Sequence, residues 1–208
     1  MSEHDELKTV SAFGPDDRAE DVYDRWADSY DQDLVHNYGY NSPELVAGVL
    51  AEMTEDATAA IVDHACGTGL SGVALRSAGF STIDGVDVSA GMLEGAAAKG
   101  VYRHLVQADL TSADVALPEA PYAAMTLVGA LAPGHLEPED LPALMQSVSP
   151  GAPVVVYFNA AYDVDNDYVG RVQTLERDGH WTVERRERTN YMDALERPGW
   201  LIAARRGR

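Results

Sequence analysis

Hydrophobic positions along the chain alternate between short continuous runs and stripes spaced by three and four residues. The run at 59–62 is typical of a buried strand, and a helical stripe follows it at 69–78. The alternation predicts further strands at 82–86, 104–107, 122–128 and 154–158, and further helices at 43–53, 89–98, 138–148 and 165–178. We therefore expect an α/β fold with a parallel sheet and crossover helices.

Both ends of the chain depart from this alternation. Residues 180–190 and 199–206 have the pattern of two strands with no helix between them, which favours an antiparallel pair at the sheet edge. Near the other end, Tyr23, Trp26 and Tyr30 lie on one face of a helix predicted over 16–30. We expect residues 1–42 to form a helical extension and lid, and residues 43–208 to form one cofactor-binding domain.

Composition narrows the class of protein. The formal net charge of the 208 residues is −19, which argues against nucleic-acid binding because phosphate contacts need a basic surface. The last segment, 171–208, has nine Arg and six acids, so residues 1–170 carry −19 − 3 = −22. These arginines could bind an anionic group, but the favoured interpretation is that they pair with acids on two exposed strands.

The N-terminal segment, the apolar runs and the Cys and His content bear on cellular location and on metal binding. The polar, acidic start MSEHDELK does not resemble a signal peptide, and no apolar run is long enough to cross a membrane, so we expect a cytoplasmic protein without a membrane partner. One Cys and six His without a ligand spacing give no reason to expect a metal site. A monomer or a homodimer is expected.

A glycine-rich segment, VDHACGTGLSG at 62–72, follows the first predicted strand. Gly67 and Gly69 allow close backbone approach to a ligand, whereas Gly72 falls in the next helix and is interpreted as an incidental match. Asp87 ends the second strand twenty residues after Gly67, where a carboxylate can accept hydrogen bonds from ribose hydroxyls. The segment therefore predicts a cofactor that contains a nucleoside.

Two acids distinguish between the possible cofactors. Asp63 would repel the pyrophosphate of NAD but suits the ammonium group of S-adenosylmethionine. Asp109, in QADL after the third strand, could accept a hydrogen bond from an adenine amino group. Together with the terminal strand pair, these acids favour S-adenosylmethionine, and NAD remains the alternative.

The motifs VDHACGTGLSG, GVDVSAGML, VQADL and the SPG turn resemble those of class I S-adenosylmethionine-dependent methyltransferases, in order and over roughly residues 20–206. More narrowly, YDRWADSYDQDL and IDGVDVSAGMLEGAAAKGVY resemble the methyltransferase-like proteins named for the Williams–Beuren syndrome chromosome region. The resemblance implies a Rossmann-like three-layer sandwich. Its seven-stranded sheet would have the order 3-2-1-4-5-7-6, with strand seven antiparallel.

The resemblance also implies a set of cofactor-binding residues: Asp63, Ala65, Gly67, Gly69, Asp87, Val88, Met92, Asp109, Leu110, Gly129, Tyr23, Trp26 and Tyr30. Ala65 stands where the family has its first loop glycine. A positive φ at this position would cost an alanine about 1 kcal/mol or more.

The sequence thus predicts a methyltransferase that acts on a small-molecule acceptor. No catalytic base is assigned, and His135, in GALAPGHL after strand four, is the candidate. Cys66 is interpreted as a small loop residue, and His64 as a structural hydrogen-bonding residue. A non-catalytic cofactor-binding module that acts through partners and an NAD-dependent oxidoreductase are the alternative functions.

Overall fold

The computed structural model describes residues 31–112, 115–192, 194 and 196–208. Tyr23, Trp26 and Tyr30 lie outside these ranges, and so does the helix predicted over 16–30, so the lid stays a prediction. Within the described ranges, no helix combines the length and the hydropathy that a membrane span needs.

The described part of the chain forms a seven-stranded sheet in the order β3-β2-β1-β4-β5-β7-β6. Its strands are β1 (Ile61–His64), β2 (Ile83–Asp87), β3 (His104–Gln107), β4 (Ala124–Val128), β5 (Pro153–Asn159), β6 (Trp181–Asn190) and β7 (Pro198–Arg206). The first five strands are parallel to one another, whereas β7 pairs antiparallel with both β5 and β6. The predicted fold class and strand order are confirmed.

Helices cover both faces of this sheet. They are α1 (Ser42–Met53), α2 (Leu70–Ser77), α3 (Ala90–Lys99), α4 (Leu141–Leu144), α5 (Ala161–Asn166) and α6 (Tyr168–Arg177), with a π-helical turn at Gln32–Asn37. Because successive strand residues face opposite sides, Ile61 packs with α1 and α2, whereas Val62 packs with α4 and α6. The result is a three-layer sandwich with an apolar core on each side of the sheet.

Two helices differ from the sequence prediction. The single helix predicted over 138–148 is a 3₁₀ turn at Pro138–Asp140, then α4, then a second 3₁₀ turn at Met145–Ser147. Pro142 has no N–H to donate to the carbonyl of Pro138, and that carbonyl accepts instead from Leu141, three residues on.

The helix predicted over 165–178 is likewise divided into α5 and α6. Asp167, between them, has a left-handed backbone with φ of 47°, which ends α5. Its carboxylate accepts a hydrogen bond from the N–H of Gly170 and so caps α6. The π-helical turn that precedes α1 packs against the same core as α1, with Leu34 only 5% exposed.

Candidate functional site

The loops that follow β1, β2, β3 and β4 meet at one edge of the sheet. After β1, the N–H of Cys66 donates to the backbone carbonyl of Val86 in β2 at 3.0 Å. After β3, the N–H of Ala108 donates to the backbone carbonyl of Asp87 at 2.9 Å. The predicted site residues of the first three strands are therefore neighbours at the carboxyl edge, where open α/β sheets bind their ligands.

The glycine loop at 65–69 has three residues in left-handed conformations. The φ angles are 52° at Ala65, 54° at Gly67 and 91° at Gly69. A Cβ on Gly67 would meet open space, whereas one on Gly69 would lie 3.2 Å from the Cα of Ala96. Gly67 therefore gives a ligand access to the backbone, and Ala65 adopts the conformation that is unfavourable for alanine.

Asp87 connects the end of β2 to this loop. One carboxylate oxygen accepts a hydrogen bond from the N–H of Gly67 at 2.8 Å, and the other accepts from the N–H of Ser89 at 3.0 Å. Each oxygen of a carboxylate can accept a second hydrogen bond. The residue predicted to hold a ribose is therefore fixed in place and directly bonded to the glycine loop.

Asp63 lies deeper than the loop and is 0% exposed. Its oxygens accept hydrogen bonds from the hydroxyls of Ser71 (2.5 Å), Tyr102 (2.7 Å) and Thr126 (2.8 Å). Burial raises the pKa of this carboxyl, while the three hydroxyl donors act in the opposite direction. Contact between Asp63 and a ligand stays a prediction, since the side chain is fully buried.

Tyr102, which the sequence analysis did not select, supports the glycine loop from behind. A Cβ on Gly72 would lie 2.3 Å from its Cζ atom, and one on Gly69 would lie 3.0 Å from its Cε2 atom. Gly72 lies in α2, as predicted, and its missing side chain leaves room for this ring. Tyr102 stands before β3 and ends the stretch IDGVDVSAGMLEGAAAKGVY, but nothing in that pattern shows that its ring packs against Gly72.

The other predicted cofactor residues differ in depth. Met92 is 2% exposed in α3, where its N–H donates to the capping hydroxyl of Ser89 at 3.0 Å. Leu110 is buried, Val88 is half-buried, and Asp109 is exposed at the end of β3. Their contact with a cofactor stays a prediction.

Gly129 follows β4 and lies beside the hydroxyl of Tyr40. It has a φ of 73°, and a Cβ there would lie 3.0 Å from the hydroxyl oxygen of Tyr40. The ring of Tyr40 meets that of Tyr191 edge-on at 6.1 Å, and Tyr191 meets Tyr157 at the same distance. Burial raises the pKa of Tyr40, so its hydroxyl stays protonated and can donate a hydrogen bond.

His135 lies in the turn after β4 and is half-buried. Its Nδ1 lies 3.3 Å from the carbonyl oxygen of Pro133, and burial lowers its pKa. The imidazole is therefore mainly neutral near pH 7, and donation from Nδ1 to Pro133 leaves Nε2 as the basic nitrogen. This electronic state suits a proton acceptor.

The two other candidate groups are buried. His64 is 1% exposed, and its Nε2 lies 3.0 Å from Ser147, whose hydroxyl donates to the carbonyl of Leu144. Burial lowers the pKa of His64 to about 4, and burial raises that of the Cys66 thiol. The uncharged state of both groups fits the structural roles predicted for them.

Four arginines of 171–208, namely Arg171, Arg185, Arg186 and Arg205, pair with acids, as favoured from the sequence. Arg171 binds Glu137 and Glu139, Arg185 binds Glu187, and Arg205 binds Glu184. In the described ranges, no group of three or more His, Cys, Asp or Glu side chains is arranged to hold a metal ion.

Part of the chain is similar in sequence to known proteins. Residues 61–150 match the family described as "Methyltransferase domain". Methyltransferase-like protein 27 of Homo sapiens is 40% identical over 138 residues, which is 64% of this chain and 56% of that protein. The chain thus spans just over half the length of this curated relative.

Solved structures share the fold at low sequence identity. The (4+2)-cyclase SpnF superposes with a TM-score of 0.71 at 14% identity, over 90% of this chain and 94% of that one. Magnesium protoporphyrin IX methyltransferase from Synechocystis PCC 6803, solved with bound S-adenosylmethionine, gives a TM-score of 0.62 at 15% identity, over 98% and 91%. Likeness at this level shows the fold alone.

Proposed function

We propose that this chain, whose glycine-loop domain and fold are those of class I S-adenosylmethionine-dependent methyltransferases, transfers a methyl group from that cofactor to a small-molecule acceptor. The observation that carries the proposal is the hydrogen bond between the Asp87 carboxylate and the N–H of Gly67. It joins the carboxylate that is predicted to bind a ribose to a loop that leaves its backbone open to a ligand.

The residues at this edge suit the proposed cofactor. Asp87 can accept hydrogen bonds from two ribose hydroxyls, and exposed Asp109 can accept from an adenine amino group. Asp63, which precedes the glycine loop by two residues, is unfavourable for a pyrophosphate, and Asp109 follows β3, where an adenine ring would lie. This charge distribution supports S-adenosylmethionine over NAD.

The bound cofactor would supply a methyl group on a positively charged sulfur. The protein then has to align the acceptor and exclude water, which can provide much of the rate increase. His135 is proposed as the proton acceptor, since its imidazole is mainly neutral near pH 7. An acceptor that loses its proton readily would not need this residue.

A neutral or cationic small molecule is the proposed acceptor. Residues 1–170 carry a net charge of −22, obtained as −19 − 3 from the sequence, which disfavours anionic partners. The hydroxyl of Tyr40 lies beside Gly129, and its ring is only partly buried, so it is the proposed contact for such an acceptor.

Calorimetric titration with S-adenosylmethionine and with S-adenosylhomocysteine tests the proposal. We expect binding of both, followed by methyl transfer in a panel of amines, phenols and thiols assayed by release of S-adenosylhomocysteine. Binding without turnover on any acceptor would favour the non-catalytic module. No binding of either compound at millimolar concentration, together with thermal stabilisation by NAD, would favour the oxidoreductase.

A further inference from the structure

Asp31 joins the segment before α1 to the centre of the glycine loop. One of its carboxylate oxygens accepts a hydrogen bond from the hydroxyl of Thr68 at 2.5 Å. The other lies 2.6 Å from the ammonium group of Lys99 in the last turn of α3. The same ammonium group donates to the backbone carbonyl of Thr68 at 2.6 Å. Thr68 is therefore held through both its side chain and its backbone.

Thr68 occupies the position where the loop conformation is decided. It lies between Gly67 and Gly69, whose φ angles are 54° and 91°. Glycines have wide conformational freedom, so the loop can adopt other conformations unless neighbouring contacts select one. Asp87 fixes the N–H of Gly67 from the β2 side, and the Lys99 contact fixes the peptide between Thr68 and Gly69 from the α3 side.

Asp31 is itself held in place by the core. It directly precedes the π-helical turn at Gln32–Asn37, in which Leu34 is 5% exposed and packs with α1. The carboxylate thus connects three separate parts of the fold: the turn, the glycine loop and the end of α3. Thr68 is 3% exposed and the Asp31 side chain is 39% exposed, so their hydrogen bond is shielded from water on the Thr68 side.

We propose that Asp31 is a positioning residue, which holds the glycine loop in its cofactor-binding conformation through Thr68 and Lys99. The inference rests on the proposed function for the identity of the ligand. It is based on two direct contacts of the Asp31 carboxylate, one with the hydroxyl of Thr68 and one with the ammonium group of Lys99. A loop already held in the binding conformation loses less conformational entropy when the ligand arrives, which increases affinity.

The test compares Asp31→Asn with Glu94→Gln, which removes the same charge from an exposed position of α3. S-Adenosylhomocysteine is titrated calorimetrically, and hydrogen exchange is followed at residues 65–70 without ligand. We expect Asp31→Asn to weaken binding about tenfold, as for the loss of one charge-assisted hydrogen bond, and to accelerate exchange in the loop. Glu94→Gln should match the wild type in both measurements.

Variants of Thr68 separate positioning from general destabilisation. Thr68→Val lacks the hydroxyl and should weaken binding, while the conservative Thr68→Ser retains it and should restore most of the affinity. In the Thr68→Val background, Asp31→Asn should cost less affinity than it does in the wild type, because the two changes share the Asp31–Thr68 bond and only Asp31→Asn also weakens the Lys99 contact. Fully additive losses would overturn the inference.

The outcomes distinguish the inference from the function on which it rests. If the wild type binds S-adenosylhomocysteine and Asp31→Asn binds it equally well, the inference fails and the methyltransferase proposal stands. If the wild type does not bind, the methyltransferase proposal fails. Hydrogen exchange in the ligand-free protein then decides whether Asp31 holds the loop, and equal exchange in Asp31→Asn and Glu94→Gln would refute that as well.

Discussion

Ala65 is a residue whose backbone conformation does not suit its side chain. Its φ of 52° is left-handed, and the neighbouring positive-φ loop positions are glycines. Such a conformation costs an L-residue about 1–2 kcal/mol. The methyl group packs against the core on the α4 and α6 side, which offsets part of this cost.

Replacing Ala65 by glycine should therefore stabilise the protein. We expect Ala65→Gly to raise the free energy of unfolding by about 0.5–1 kcal/mol, and the melting temperature by about 2–4 °C. Affinity for S-adenosylhomocysteine should change less than about threefold, because the strain is present with or without ligand. Ala78→Gly, at a position with φ of −76°, is the control and should lower the melting temperature.

Asp87 is the residue on which cofactor affinity should depend most directly. Asp87→Asn removes the charge and places an amide group opposite backbone N–H donors, so binding of S-adenosylhomocysteine should weaken about 10- to 100-fold. Asp56→Asn makes the same change at an exposed position before β1, at the opposite edge of the sheet, and should have no effect. Equal calorimetric affinities for the two variants would contradict the proposed ribose contact.

At the scale of the elements, Tyr102 packs against α2 and binds β1. The ring before β3 fills the space that a side chain at position 72 of α2 would need, and its hydroxyl binds Asp63 in β1. Glycine at position 72 therefore serves helix–sheet packing, and the ring reaches a carboxylate 39 residues away in sequence.

Gly72→Ala should disturb this packing. The new methyl group would lie 2.3 Å from the Cζ atom of Tyr102, and displacing the ring breaks its bond to Asp63, so we expect a loss of about 1–3 kcal/mol in unfolding free energy. Gly48→Ala in α1 meets nothing within 4 Å and should instead stabilise by about 1 kcal/mol. Urea denaturation measures both, and a stable Gly72→Ala would mean that the ring relocates easily.

Elements were predictable from the sequence where local patterns determine them. Apolar runs located the strands, and the ordered motifs determined the strand order through their resemblance to a family. The divisions at Pro142 and Asp167 escaped detection because the apolar spacing continues across them. The roles of Tyr102, Thr126 and Asp31 could not be predicted, since each depends on a contact between side chains far apart in sequence.

At the scale of the whole molecule, buried ionisable groups make stability depend on pH. His64 has a pKa of about 4 in the folded protein and would have one near 6.5 when unfolded. Between these values the unfolded state binds more protons, so stability is lost as the pH falls through this window. At about 1.4 kcal/mol per pH unit, the total contribution is about 3 kcal/mol.

This dependence can be measured by urea denaturation between pH 4.5 and pH 7.5. We expect the free energy of unfolding to rise with pH in the wild type and to rise much less steeply in His64→Leu. Ser147 keeps its own bond to Leu144 in that variant, so the loss of the histidine leaves its hydroxyl donor satisfied. His180→Leu, at an exposed position, is the control, and an unchanged slope in His64→Leu would exclude His64 as the cause.

The position of β7 between β5 and β6 bears on how the chain folds during synthesis. The ribosome completes β6 before β7, yet among the described strands β6 pairs with β7 alone. Until residues 198–206 are available, β5 exposes an unpaired edge and the ten residues of β6 have no partner strand in the sheet. The nascent chain therefore carries two open strand edges, which are sites of aggregation and targets for chaperones until one late strand closes both.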